Sequence, residues 1–449
     1  MITEKKENSW REFQSEYIVE KKKKQRFLKI IKTFFYGCAI FLVLILVAVK
    51  FNISRHSDPH LKKQTQVLPS NSPIDQLQLT KDQLIPIIHS AQLARSDKNI
   101  FFVDTPDHSY KVTTSIDVYL QEYLLSVLHQ LKKLTRGKPQ RIAFTVMEAD
   151  TGKIIAMAGF DLDDATINPN IESDFPAASI FKIITAAAAV ETLGFTPNTQ
   201  LYFNGSKYTL YKRQLKDIKN RYTSKVSFSN AFAESINPVF GKIGKNKLGK
   251  ERLDSYAQAF GFNERINSEL PFFSGTFATN DSEYHLAELG CGFNNDTTIS
   301  PLFCTMVAAS IINSGHLILP SIVEHVTDAE GKIIYNNKKA IYKTPISTQT
   351  ASTMVALMQK TISRGTARKS FRGASRDRVL STLLIGGKTG SLYNKANTVK
   401  YDWFTGFAKE KKTNKKIALS IVVGHRKYIG TRASTYAKMI LKQYFKPKD

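Results

Sequence analysis

The chain has 449 residues, 42% of them hydrophobic, which is enough for a large folded core and excludes a disordered protein. Its formal net charge of +26 predicts attraction to polyanions, a class that includes nucleic acid, anionic lipid and acidic polymers. We find no zinc-finger, RNP-like or phosphate-loop pattern, and the basic residues do not alternate with aromatic ones. A nucleic-acid partner is therefore not expected.

The N-terminal region predicts a single membrane anchor. The 17 positions between Lys32 and Lys50 carry no charge, and a KKKKQR run at 21–26 precedes them. A span of this length is short for a membrane helix, but the side chains of the flanking lysines can reach the polar interface and extend it. The basic run predicts that the N-terminal end lies in the cytoplasm. A cleaved signal peptide is the alternative, but the preceding segment is long and VAVKFN lacks a small-x-small cleavage site. We predict a cytoplasmic tail at 1–33 and an uncleaved anchor at 34–50.

Two regions of different composition follow the anchor. Residues 51–110 are polar, with SRHSDPH and PSNSP near their start, and predict a linker followed by a short stalk-like segment. From 111 to 449 we predict a single domain. Its first clear element is RIAFTVMEADTGKIIAMAGF, which is typical of a β-hairpin.

The middle of this domain, 176–370, predicts mostly helices. Within it, Ser300, Pro301 and Gly315 have the positions of an N-cap, a first helical residue and a helix stop. The C-terminal region returns to strands in STLLIGGKTGS, DWFTGFAKE and KKIALSIVVGHR, before an amphipathic helix in YAKMILKQYF. Strands at both ends with helices between them predict one α/β (α+β) domain whose sheet is closed by distant parts of the chain.

The cysteines and the possible metal ligands give little functional signal. Cys291 and Cys304 are interpreted as two buried thiols, with a disulfide bridge as the alternative. No group of His, Cys and carboxylate residues has metal-ligand spacing. Neither a metal nor another cofactor is expected.

The stretch PAASIFKIITAAAAV, residues 176–190, places a lysine in an otherwise apolar helix. Ser179 and Lys182 are one helical turn apart, so the hydroxyl and the amine can touch. An amine that is partly desolvated favours its neutral form and can accept the serine proton. The ordinary alternative is a capping serine with a snorkelling lysine, because a lone Ser-x-x-Lys is a weak signal.

Two further motifs follow in order: Ser235-Ile-Asn237, and Lys388-Thr389-Gly390 in a strand-like run. This set resembles that of serine enzymes that react with penicillin. From about residue 111 onward the chain resembles the transpeptidase domain of penicillin-binding proteins, with support from the segments TTISPLF, RGTA at 364–367 and DWFTGFA. The resemblance implies an antiparallel sheet flanked by helices plus an all-helical subdomain.

The resemblance also implies roles for the residues of the first two motifs. Ser179 would be the acylated nucleophile, and Lys182 would be its general base. Ser235 would relay a proton to the leaving amine, while Asn237 would hold the substrate backbone.

Roles for the third motif are implied in the same way. Lys388 would supply positive charge, and Thr389 and Ser391 would bind the terminal carboxylate beside Gly390. The backbone N–H groups of Ser179 and Ser391 would form the oxyanion hole. Position 391 is serine where threonine is common in the family.

The function implied is a membrane-anchored D,D-transpeptidase of the bacterial plasma membrane, with its catalytic domain outside the cytoplasm. Its partners would be peptidoglycan stem peptides, β-lactams and glycan-polymerising cell-wall proteins. We see no glycosyltransferase domain in this sequence, so polymerisation of glycan strands by this chain is not expected. Three alternatives stay open: a D,D-carboxypeptidase, a serine β-lactamase, and a non-catalytic wall-binding or β-lactam-sensing protein. The β-lactamase has less support because no Glu-x-x-Leu-Asn segment follows the second motif.

Overall fold

The computed structural model describes residues 79–91, 96–106 and 108–447. The predicted tail and anchor, 1–50, and the first part of the predicted linker lie outside these ranges. Within the described part of the chain, no helix combines the length and the apolar character needed to cross a bilayer.

A five-stranded antiparallel sheet forms the centre of the fold. Its strands are β3 Arg141–Glu148, β4 Ile154–Asp161, β15 Leu383–Tyr393, β16 Lys400–Glu410 and β17 Lys416–His425. Their order across the sheet is β15-β16-β17-β3-β4. The predicted hairpin is β3–β4, and the three predicted C-terminal strands are β15 to β17. The prediction that distant parts of the chain close the sheet is confirmed by the pairing of β17 with β3.

Both faces of the sheet are covered by helices, which explains why its strands are buried at most positions. On one face, Ile142 and Phe144 pack with helices α2 Val118–Lys133 and α10 Ala433–Tyr444. On the other face, Ala143 packs with helix α8 Pro301–Ile312, which is buried almost all round. The cap of α8 is as predicted, since the side chain of its N-cap serine accepts a hydrogen bond from the N–H of Phe303.

A helical region lies beside the edge strand β15. Its helices are α3 Lys182–Leu193, α4 Phe228–Ala233, α5 Asn237–Lys242, a π-helix Ile243–Leu248, α6 Gly249–Phe260, α7 Glu283–Cys291 and α9 Thr348–Ser363. Short 3-10 turns occur at Ala178–Phe181, Lys212–Leu215, Ala374–Arg376 and Leu380–Thr382. Helix α9 packs against β15, and the turn before α3 lies close to the same strand.

A second antiparallel sheet joins the region around residue 110 to the middle of the chain. Its strands are β1 Ile100–Asp104, β2 Ser109–Thr114, β12 Val323–Thr327 and β13 Ile333–Asn336, and helix α1 Lys81–Ala91 precedes it. Strand β2 crosses the predicted boundary between residues 110 and 111. The prediction of mostly helices at 176–370 misses β12 and β13, because their sheet depends on pairing with β2, a long-range contact that local sequence patterns do not show.

The remaining strands form short pairs. They are β5 Phe175–Pro176 with β10 Thr298–Ile299, β6 Gln200–Phe203 with β7 Ser224–Ser227, β8 Arg265–Ile266 with β9 Phe272–Phe273, and β11 Leu317–Ile318 with β14 Ile341–Lys343.

The two cysteines of the described chain are buried free thiols, so the bridge between Cys291 and Cys304 that the sequence left open is not formed. Burial raises the pKa of Cys291 to about 11 and that of Cys304 to about 12. Both thiols therefore stay protonated near neutral pH, and neither is a candidate nucleophile.

Candidate active site

Ser179 and Lys182 are in contact, as the one-turn spacing predicts. Ser179 lies in the 3-10 turn Ala178–Phe181, and Lys182 is the first residue of α3. The Lys182 Nζ lies 2.8 Å from the Ser179 Oγ. Ala178, just before the serine, has a positive φ of 49°, a strained conformation for a residue with a side chain. Strain of this kind is found where surrounding structure holds a functional group in one position.

Lys182 is fully buried and has two further oxygen partners. Its Nζ donates to the Oδ1 of Asn237 at 2.8 Å and to the backbone carbonyl of Cys291 at 2.6 Å. Both acceptors are neutral, so neither balances a buried positive charge. Burial therefore lowers the pKa of Lys182 to about 8. A neutral amine directed at a serine hydroxyl is suited to accept its proton.

Ser235 lies in the turn between α4 and α5, and Asn237 is the first residue of α5. Ser235 has a positive φ of 55°, so it is a second strained residue of the site. The backbone N–H of Asn237 donates to the Lys207 carbonyl at 2.7 Å, and its Nδ2 donates to the Tyr208 carbonyl at 3.0 Å. Asn237 therefore connects Lys182 to the loop after β6, a structural role that the sequence did not reveal.

Lys388 lies on β15 and is also fully buried. Its Nζ donates to the Ser235 Oγ at 2.8 Å and to the Thr389 carbonyl at 2.7 Å. Burial, with a smaller contribution from the positive charge of Lys182, lowers the pKa of Lys388 well below its ordinary value. The site thus contains two serine–lysine pairs, and an anionic ligand would stabilise the charge on either amine.

The remaining predicted residues lie along the edge strand β15. Thr389 is half-buried and shares a hydrogen bond with Thr366 of the RGTA segment, while Ser391 is exposed. A Cβ at Gly390 would lie 3.2 Å from the side chain of Ile180. Glycine suits this position because β15 passes close to the turn before α3. The structure brings all eight predicted residues to one place.

Two further contacts that hold the turn before α3 were not predicted. The indole Nε1 of Trp403 donates to the carbonyl of Pro176 at 3.0 Å, which fixes the chain just ahead of the turn. A Cβ at Gly292 would lie 1.9 Å from the carbonyl oxygen of Ala178, so the end of helix α7 lies against the same turn. The DWFTGFA segment was the visible signal for the first contact, and no pattern in the sequence pointed to the second.

The profile of the penicillin binding protein transpeptidase domain matches residues 142–446. The chain belongs to this family. Membership in the penicillin-binding protein transpeptidase family agrees with the main sheet, the helical region beside β15 and the arrangement of the three motifs.

Two curated relatives show the extent of the similarity. This penicillin-binding protein domain is 26% identical over 327 residues to peptidoglycan D,D-transpeptidase PbpA of Mycolicibacterium smegmatis, covering 64% of this chain and 62% of that protein. It is 24% identical over 266 residues to stage V sporulation protein D of Bacillus subtilis, covering 56% of this chain and 40% of that protein. The match thus spans less than two thirds of either relative.

Solved structures share the fold. The crystal structure of PBPA from Mycobacterium tuberculosis aligns with a TM-score of 0.59 at 21% identity, covering 74% of this chain and 80% of that one. The D,D-transpeptidase domain of a peptidoglycan glycosyltransferase from Eggerthella lenta aligns with a TM-score of 0.59 at 21% identity, covering 80% of this chain and 86% of that one. The α+β fold of the penicillin-binding protein domain is thereby established.

Proposed function

We propose that the protein is a membrane-anchored peptidoglycan D,D-transpeptidase that works through an acyl-serine intermediate and binds β-lactams covalently. The observation that carries the proposal is the pair of lysine–serine contacts: each amine lies 2.8 Å from one hydroxyl, and both pairs lie in one site. A purely adhesive protein does not need two buried lysines beside two serines, because burying amines costs free energy.

In the first step, the Ser179 Oγ attacks the carbonyl carbon between the two D-alanines of a stem peptide. Neutral Lys182 takes the hydroxyl proton as the new C–O bond forms. The backbone N–H groups of Ser179 and Ser391 are the proposed donors to the oxyanion. The lowered pKa of Lys182, about 8, supports this assignment because a useful fraction of the amine is neutral near physiological pH.

Collapse of the tetrahedral intermediate breaks the peptide C–N bond and releases D-alanine. Ser235 relays to the leaving amine the proton that Lys182 took from the nucleophile, so the general base returns to its neutral form. Lys388, charged when the substrate carboxylate is bound, holds the Ser235 hydroxyl in place through their contact.

The same strand and turn provide the proposed contacts to the substrate. Thr389, Ser391 and Lys388 are the proposed binding groups for the terminal carboxylate, next to the glycine at 390. Asn237 is the proposed contact to the substrate backbone, in addition to its bond with Lys182.

In the second step, an acceptor amine from another stem peptide attacks the carbonyl carbon of the acyl-serine ester and forms the cross-link. The C–O bond to Ser179 breaks, and the proton that the amine loses returns to the Ser179 hydroxyl. Water in place of the amine would give a D,D-carboxypeptidase. Incubation with a donor stem peptide and an acceptor amine separates the two activities, because mass spectrometry distinguishes a dimer from a shortened monomer. The proposal predicts dimers, and shortened monomers alone would contradict it.

The proposed domain organisation is a tail at 1–33, an anchor at 34–50, a linker and short stalk segment at 51–110 and an extracytoplasmic catalytic domain at 111–449. The uncharged span and the basic residues before it support this topology. Glycan-polymerising cell-wall proteins are the proposed protein partners. A reporter that is active only outside the cytoplasm should function when fused after residue 449. Activity only in an N-terminal fusion would contradict the orientation.

Labelling of membranes with a fluorescent penicillin tests the catalytic assignment. The wild-type protein should become covalently labelled, and the Ser179→Ala variant should not. Ser173→Ala is the matched control, because it removes the hydroxyl of a half-buried serine six residues earlier in the chain. Unchanged labelling of the Ser179→Ala variant would place the nucleophile elsewhere, and an unlabelled wild type would favour a non-catalytic protein.

A further inference from the structure

A run of basic side chains follows helix α9. Residues 364–378, RGTARKSFRGASRDR, contain six basic residues and one acidic residue. Five of the six lie beyond Thr366, and all five are exposed. We call this set the basic ridge: Arg368, Lys369, Arg372, Arg376 and Arg378. The ridge begins two residues after Thr366, which bonds to Thr389 of the active site.

The charges of the basic ridge are not balanced by neighbouring carboxylates. Asp377 is the acidic residue of the run, and its carboxylate is already paired with Lys442 at 2.7 Å. The same side chain also accepts from the backbone N–H groups of Val379 and Leu380. In the described ranges, none of the five ridge side chains takes part in an ion pair. Five positive charges are therefore available to an external anion.

The basic ridge borders two concave surfaces. A cavity of about 900 Å³ is lined by its first three residues. A second cavity, of about 720 Å³, is lined by its last two residues together with Lys412, Lys442 and Lys446. The acidic residues that line this second cavity are Asp377 and Glu410, so cations outnumber anions there by five to two. Because the ridge lines both cavities, the positive surface is extended and suits a chain-like ligand better than a single small anion.

The composition of the ridge narrows the class of ligand. Four of its five residues are arginines, whose planar guanidinium groups make paired hydrogen bonds with phosphate oxygens. In the described structure, the exposed large hydrophobic side chains all lie outside residues 364–378. The one aromatic residue of the ridge segment, Phe371, is buried, so the segment exposes neither the apolar side chains that insert into a bilayer nor the aromatic side chains that stack on nucleic-acid bases.

We propose that the basic ridge binds a linear anionic polymer of phosphodiester units through its phosphate groups. The five cations supply the charge, the two cavities supply an extended path, and the composition of the segment favours a polymer in solution over a lipid surface. A polymer bound here lies beside the active site, because the ridge continues directly from the Thr366–Thr389 contact. The proposal does not depend on the catalytic function.

The experiment measures the affinity of the full-length protein, held in phosphatidylcholine nanodiscs, for poly(glycerol phosphate) at several salt concentrations. The ridge variant carries Arg368→Gln, Lys369→Gln, Arg372→Gln, Arg376→Gln and Arg378→Gln. The control variant neutralises five exposed lysines elsewhere, through Lys111→Gln, Lys133→Gln, Lys332→Gln, Lys338→Gln and Lys339→Gln. Both variants keep the basic N-terminal segment, so its contribution cancels in the comparison. Thermal unfolding confirms that each variant is folded.

We expect the ridge variant to bind the polymer about tenfold more weakly, or weaker still, near 0.1 M salt. The slope of log affinity against log salt should also fall by on the order of three, because fewer counterions are released. The control variant should bind nearly as the wild type does. Equal losses in the two variants would mean that only net charge matters, and would overturn the proposal.

Two further arms of the experiment test the class of ligand. Vesicles of phosphatidylglycerol and poly(uridylic acid) are compared with poly(glycerol phosphate) at equal phosphate concentration. Ridge-dependent binding is the part of the affinity that the ridge variant loses. The proposal is supported if this part is smaller for the vesicles than for poly(glycerol phosphate), and if the RNA binds no more tightly than that polymer. Tighter ridge-dependent binding to vesicles would assign the ridge to a membrane surface, and tighter binding to RNA would assign it to nucleic acid. Either result would overturn the proposal.

Discussion

Replacement of Lys182 by arginine tests whether this residue must lose its proton during acylation. The lysine is fully buried, its three partners are oxygens of uncharged groups, and its pKa is lowered to about 8. At pH 8, therefore, about half of the Lys182 side chains are neutral. A guanidinium, with a pKa of roughly 12.5 or more, is neutral in about one molecule in 10⁴ or fewer at that pH.

Acylation of the Lys182→Arg variant should consequently be slower by on the order of 10⁴-fold. The assay is the second-order rate of covalent labelling by a fluorescent penicillin, with thermal unfolding to show that the variant is folded. Lys242→Arg is a matched control, because it makes the same change on helix α5, at a residue paired with Asp217 outside the site. A near-normal rate in the Lys182→Arg variant would assign the general base elsewhere.

The pH profile of the wild type provides a second measurement that does not depend on how well arginine fits the buried site. A base with a pKa of about 8 predicts that the acylation rate rises with pH and stops rising by about pH 9. A lysine with an ordinary pKa would instead let the rate rise by a further factor of about seven between pH 9 and pH 10. Burial, with a smaller contribution from the charge of Lys182, also lowers the pKa of Lys388, so loss of that positive charge lowers the rate at still higher pH and the observed pH profile belongs to the pair of lysines. A pH-independent acylation rate would show that Lys182 is not the general base.

Three other predictions concern the surroundings of the nucleophile. Lys388→Arg should retain measurable acylation because it keeps a positive charge, whereas Lys388→Ala should lose on the order of a hundredfold; equal losses would make Lys388 a required proton carrier. Gly292→Ala should destabilise the protein and slow acylation, because its Cβ would lie 1.9 Å from a backbone carbonyl oxygen of the turn before α3. Gly194→Ala has a similar φ with no atom near its Cβ, and should cost only about 1–2 kcal/mol in denaturant unfolding. Similar effects of the two glycine changes would show that the close contact is unimportant. Trp403→Phe should lower the free energy of unfolding by about 1–3 kcal/mol, because the Pro176 carbonyl loses its hydrogen-bond donor. An unchanged free energy of unfolding would show that this hydrogen bond does not stabilise the fold.

Local sequence patterns were sufficient to predict much of the main sheet and one contact of the active site. The β3–β4 hairpin, the capped helix α8 and the Ser179–Lys182 contact each depend on residues close together in the chain. The spacing of the three motifs could not show that they meet in space, because they lie far apart along the chain. The resemblance to a family was needed to predict that Ser235 and Lys388 lie in the same site as Ser179.

The contacts that sequence reasoning missed are long-range and involve backbone atoms. The Cys291 carbonyl that accepts from Lys182 lies 109 residues away along the chain. The carbonyls of Lys207 and Tyr208, which hold Asn237, have no side-chain signature. Pairing of β2 with β12 likewise depends on tertiary packing rather than on local propensity. The anchor predicted after the basic tail lies outside the described residues and stays a prediction.

The most direct test of the central claim is to locate the acyl group on the protein. The protein is incubated with penicillin G, its intact mass is measured, and the adduct is mapped by proteolysis and tandem mass spectrometry. A single adduct on Ser179, present in the wild type and absent from the Ser179→Ala variant, is the predicted result. An adduct on a different residue, or no adduct under conditions in which the protein is folded, would contradict the assignment of Ser179 as the nucleophile.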